Sequence, residues 1–162
     1  MTDYEELLRL SAHLLLKGEV IACKGLGGYY LVCDATQESA VEKIRRLKRQ
    51  KRKPFAVMFR DLDHLKVYAY TEPMEEQCLT SWRRPIVLLR QRGYLAASVN
   101  PGMHTLGCLL PYLPIHYDWF SRTGLPALAM TSVNERNLPI RIAASDLEAE
   151  WNGEVALWLH HN

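Results

Sequence analysis

The sequence predicts a mixed α/β protein, a central β-sheet flanked by helices. Short apolar runs rich in β-branched and aromatic residues recur along the chain, and stretches with leucine at helical spacing stand between them. Length and composition agree: 162 residues, 48% hydrophobic and 23% charged, suit one soluble domain with a sizeable core.

The opening YEELLRLSAHLLLKG repeats leucine at helical spacing and stops at Gly18, so it reads as an amphipathic helix. EVIACK and YYLVC follow as strands joined by the glycine-rich KGLGG, Lys24 to Gly28. DATQESAVEKIRRLKRQ begins with the capping types Asp34 and Thr36 and sets Ala40, Val41, Ile44 and Leu47 on one face. PFAVMF and RPIVLLR are buried-strand runs, separated by short helical segments around DLDHLKVYA and EPMEEQCLT. TLGCLLPY and LPALAMTS read as further strands, with the helix IHYDWFSR between them ending near Gly124. ASDLEAEW carries a capping box, Ser145 with Glu148, and VALWLHH reads as a last strand.

Composition excludes several classes. No apolar stretch is long enough to span a bilayer, and no charged-then-apolar leader opens the chain. Cys23, Cys33, Cys78 and Cys108 form no C-x-x-C pair, so reduced thiols in the cytoplasm are expected, with Cys23 and Cys33 as small buried hydrophobes. His13, His104 and His116 have no cysteine or carboxylate at ligand spacing, so no protein metal site is assigned. A net charge of +2 is too mild to mark a nucleic-acid binder by itself.

Local charge is another matter. Seven cations fall between Arg45 and Lys53, in RRLKRQKRK. Arg45, Arg46 and Lys48 complement the dipole of a helix C-terminus. Lys51, Arg52 and Lys53 run past the helical pattern, up to Pro54. Three polar stretches thus interrupt the strands at their ends, where open α/β sheets bind ligands: KGLGG, the basic run, and Ser132-Val133-Asn134. Glycines admit an anion close to the backbone, cations supply charge, and Ser132 and Asn134 are spaced to point the same way on an extended segment. KGLGG is neither a Walker A pattern nor G-x-G-x-x-G, and a tight turn between strands explains its glycines equally well.

The ordered blocks KGLGGYYLVCDAT, KRQKRKPFAVM, RPIVLLR, NPGMHTLGCLLPYLPIHY, MTSVNERNLPI and LHHN, from about Gly18 to Asn162, closely resemble the YrdC-like domain of HypF-type hydrogenase-maturation carbamoyltransferases. The resemblance implies a twisted mixed sheet flanked by helices, with a concave basic pocket that binds ATP. It implies joining of a carbamoyl group to AMP, giving carbamoyl-adenylate and pyrophosphate. An already anionic carbamate oxygen attacks the α-phosphorus, so positioning and charge stabilisation dominate over base catalysis.

Residue by residue, the resemblance puts Lys48 and Lys53 on the phosphate path as the catalytic pair. Lys24, Gly27 and Gly28 fall at the pocket mouth, Ser132 and Asn134 on the phosphates, and Arg49 or Arg52 stands in for an arginine that the family has where this chain has Gln50. Val133, Arg136 and Leu138 also depart from the family pattern, and Val133 is expected to add bulk beside the phosphates. The implied cofactors are ATP and Mg2+, the metal arriving on the phosphates. A carbamoyl donor is the implied second substrate. HypF-type proteins add acylphosphatase, zinc-finger and carbamoyl-transferring domains, so residues 1–162 are expected to act as one YrdC-like domain with protein partners supplying those parts. His160, His161 and Asn162 then mark the edge of a site.

An alternative keeps the basic concave surface for double-stranded RNA or tRNA. Tyr29, Tyr30, Trp82 and Tyr112 are too scattered in sequence to make an evident stacking platform for it.

Overall fold

The computed structural model describes residues 3–133, 148, 149, 151 and 153–160. Asn134, Arg136, Leu138, Ser145, His161 and Asn162 lie outside the described residues. Seven strands form one mixed sheet: β1 (Ile21–Lys24), β2 (Tyr29–Asp34), β3 (Ala56–Phe59), β4 (Val87–Arg90), β5 (Thr105–Leu109), β6 (Ala127–Ser132) and β7 (Leu157–Leu159). Their order is β4-β5-β3-β6-β2-β1-β7. The β3–β5 and β1–β7 pairs are parallel and the other four antiparallel. Each strand grows from one of the apolar runs read in the sequence.

Among the described residues the helices with named bounds are α1 (Tyr4–Leu16), α2 (Glu38–Lys48), α3 (Leu62–Tyr68), α4 (Pro73–Thr80) and α5 (Pro114–Thr123). The strand period of two divides the core between the sheet's faces. On one face Leu31, Cys33, Val57, Phe59 and Ala129 pack with Ala40, Val41, Ile44 and Leu47 of α2. On the other, Ile21, Val32, Met58 and Leu128 pack with Leu15 of α1 and with Trp119 and Phe120 of α5. Trp119 is fully buried, and its indole N–H donates to Ser11 Oγ at 2.9 Å.

Two boundaries differ from the expectation. Asp34 and Thr36 do not open α2; Asp34 closes β2, and its carboxylate accepts from the Thr36 N–H at 2.8 Å and hydroxyl at 2.7 Å. Side chains of this type bond their own backbone two residues on, so a helix start and a turn compete for the same residue. At the other end α2 stops at Lys48, because Arg49 adopts a left-handed conformation with φ of 49°. Cys23, Cys33 and Cys108 are buried and Cys78 is exposed, all four as free thiols. Among the described residues no helix is long and apolar enough to cross a membrane.

Candidate functional site

A pocket of about 300 Å³ opens where β2 and β3 begin and β6 ends. Register explains its floor. Tyr30 lies opposite Ser132, Ala56 opposite Met130, and Ala56 opposite Gly107, so these positions share one face of neighbouring strands. It is the face that α1 and α5 cover, but their cover does not extend to the β4 edge, where Ile86 and Leu88 are exposed. Tyr30, Tyr112, Leu109 and Met130 line the interior, and the loop Gly25–Gly28 with Ser132 forms the rim. Most of the lining is apolar.

The glycine loop is shaped by close packing. The Gly25 N–H donates to the Gly28 carbonyl at 2.8 Å, and a Cβ at position 25 would meet the Tyr30 ring at 3.0 Å. Gly28 has φ of 136°, a conformation that side chains rarely adopt. At Gly27 a Cβ would meet nothing within 4 Å, so that glycine leaves open space on the rim.

The basic run divides into an inner and an outer part. Arg45 is a staple: its guanidinium donates to the carbonyls of Gln50 at 3.1 Å, Lys53 at 3.2 Å and Val99 at 3.1 Å, and to that of Ser98. It also lies over the Phe55 ring, 4.3 Å from its centroid. Lys48 reaches the end of β6 and donates to the Ser132 carbonyl at 2.6 Å. Burial, reinforced by the neighbouring Lys53 charge, lowers the Lys48 ammonium to about 8. Arg46, Arg49, Lys51, Arg52 and Lys53 are exposed.

Of the residues expected from the sequence, Gly27, Gly28 and Ser132 line the pocket; Lys48 adjoins it through Ser132, and Lys53 is close enough to Lys48 to act on its charge. Lys24, half-buried, begins the loop. Arg49 and Arg52 are exposed and do not line the pocket, and Asn134 is outside the described residues. Gln50 keeps a side-chain oxygen buried with no hydrogen-bond partner among the described residues.

Val133 corrects an expectation. It is fully buried in the core on the α2 face, its N–H donating to the Tyr29 carbonyl at 2.8 Å. Because alternate residues of an extended segment face opposite ways, the face Ser132 shares with the pocket turns Val133 into the core and adds no bulk to the pocket.

In the sequence His116 is marked only by its lack of metal partners. It is fully buried, and its Nε2 lies 2.8 Å from the Tyr30 hydroxyl. A Tyr30-to-His116 pairing spans 86 residues of sequence, so only the register of β2 against α5 could have revealed it. His160 keeps exposed surface yet is tied on both sides, its Nδ1 2.6 Å from the Tyr29 hydroxyl and its Nε2 3.0 Å from Glu148 Oε1.

Burial lowers His116 to about 4, against an ordinary value of 6.5. The unfolded chain therefore takes up this proton more readily than the folded one. The contribution is undiminished above pH ~6.5, and stability falls as the pH drops toward ~4, by on the order of 3 kcal/mol. Urea unfolding across that window should show the loss, and a His116→Gln variant should show less of it.

The Sua5/YciO/YrdC family profile, described as telomere recombination, matches residues 13–162. The chain belongs to the Sua5/YciO/YrdC family. Within it, the carbamoyltransferase HypF of Rhodobacter capsulatus is 37% identical over 157 residues, covering 97% of this chain and 21% of the relative. The crystal structure of T. kodakarensis HypF superposes with a TM-score of 0.91 at 39% identity, covering 99% of this chain and 21% of that one. Full-length HypF in a phosphate- and nucleotide-bound form superposes with a TM-score of 0.88 at 37% identity, covering 96% of this chain and 25% of that one. The chain thus spans about a fifth of the length of the HypF relatives it matches. The family's mixed sheet flanked by helices is the fold described above.

Proposed function

We propose that this chain is a nucleotide-binding YrdC-like domain of HypF-type carbamoyl transfer, in which water first splits the carbamoyl donor into carbamate and its leaving group (inorganic phosphate for carbamoyl phosphate), and a carbamate oxygen then displaces pyrophosphate from ATP to form carbamoyl-adenylate. The observation that carries the reading is a pocket rim formed by Ser132 and the Gly25–Gly28 loop with the Lys48 ammonium bonded to the Ser132 carbonyl beside it, in a chain 37% identical to a HypF that was crystallised with phosphate and nucleotide bound. In this reading the apolar interior takes the flat, less polar part of the ligand, and Lys48 and Lys53 meet the phosphates, with Lys24, Arg49, Arg52 and Asn134 as further nucleotide contacts. The lysines act by charge and position, because a carbamate oxygen is already anionic and needs no base.

Among the described residues no group of three or more His, Cys, Asp or Glu side chains gathers to hold a metal ion. No protein ligand is therefore assigned to Mg2+, which would enter on the nucleotide's phosphates. We further propose that protein partners or additional domains receive the carbamoyl group, and that the setting is the cytoplasm, which suits the free thiols. Pyrophosphate release that requires both Mg-ATP and carbamate, supplied as ammonium carbamate or by hydrolysis of carbamoyl phosphate to carbamate and phosphate, is the expected result with the purified chain. Release that ignores the carbamoyl donor would contradict the assigned reaction.

A second reading has its own support in the five exposed cations of the run, which could follow a double-stranded RNA or tRNA backbone. It predicts RNA binding that weakens steeply with salt, and salt-insensitive or absent binding removes it.

A further inference from the structure

Hydrogen bonds with a defined direction run from the start of α5 to Tyr30, whose ring packs against the glycine loop. The N–H groups of Tyr112 and Leu113 lie 3.4 and 3.3 Å from His116 Nδ1. An amide N–H can only donate, so Nδ1 is the acceptor and carries no proton. The neutral ring then keeps its proton on Nε2, which donates to the Tyr30 hydroxyl at 2.8 Å. Tyr30 stands directly opposite Cys23 in the β1–β2 register, which sets its side chain on the same face as that thiol. The thiol in turn donates to the Lys24 carbonyl at 3.6 Å. Lys24 opens the loop, and Gly25 rests against the Tyr30 ring.

We propose that His116 is a positioning residue for the glycine loop: its imidazole, acting through Tyr30, holds Lys24 to Gly28 in the conformation that frames the pocket. His116 touches no ligand in this scheme. The proposal stands apart from the nucleotide reading, since the loop geometry can be read without a ligand.

Three substitutions separate the parts of the relay. Tyr30→Phe keeps the ring against Gly25 and removes the hydroxyl. His116→Asn keeps an acceptor for the Tyr112 and Leu113 amides and removes the donor to Tyr30. His116→Gln places an amide nitrogen where Nε2 stands and is expected to restore the bond.

Amide hydrogen exchange of the Gly25 N–H, bonded to the Gly28 carbonyl, is the readout. Tyr30→Phe and His116→Asn should each speed it about ten-fold, with no further effect when combined, as expected for two members of one relay. His116→Gln should return it toward the unaltered value, and amides of α1 should not change. Unchanged Gly25 exchange in Tyr30→Phe, or a loosening equal at every amide, would overturn the proposal. Failure of the unaltered chain to bind Mg-ATP, with the variants still showing the expected exchange, would sink the nucleotide reading and support the positioning role.

Discussion

Replacing Arg45 by alanine is expected to destabilise the protein by about 3 kcal/mol, because four carbonyl groups lose a charged donor at once. Burial already disfavours the charge at this position, which lowers the guanidinium's pKa, so the carbonyl oxygens and the Phe55 ring must hold it there. Alanine would leave the Gln50 and Lys53 carbonyls without this partner and free the turn from α2 into β3. Arg45→Lys is expected to rescue little, since one ammonium cannot reach carbonyls on two separate segments as the planar fork does. The midpoint of chemical denaturation measures both variants. A loss below about 0.5 kcal/mol for alanine would show that the staple is incidental.

Lys48→Ala is the variant expected to change ligand binding most. A charged hydrogen bond to a phosphate contributes roughly 1.5–3 kcal/mol, so removing the ammonium should weaken Mg-ATP binding about 10- to 100-fold. A pH dependence accompanies it. The protonated form is the one that attracts phosphate, and Lys48 in the free protein loses its proton near pH 8. Affinity should therefore be flat below that value and fall as the pH rises through it, and the fall should vanish in Lys48→Ala. Affinity that stays level across this range would place the phosphates away from Lys48.

The difference between these two cations marks where sequence reasoning stops. All seven strands and the five helices α1 to α5 follow from apolar period and turn residues, because those signals are local. Arg45 looks in the sequence like its neighbours Arg46 and Lys48. What sets it apart is a short 3-10 turn at Ala97–Val99, far along the chain, whose carbonyls it caps. Only packing could show that. The inward turn of Val133 was accessible in principle, since strand parity fixes it once Ser132 is given to the pocket. Parity needs the register of β6 against β2, which composition does not supply. The Tyr30–His116 contact lies beyond local reach for the same reason.

Equilibrium titration of the chain with Mg-ATP, run beside Lys48→Ala, is the most direct test of the central claim. Saturable binding by the unaltered chain, weakened about 10-fold or more in Lys48→Ala, is the predicted result. Absence of saturable binding, or equal affinity in both, would contradict it.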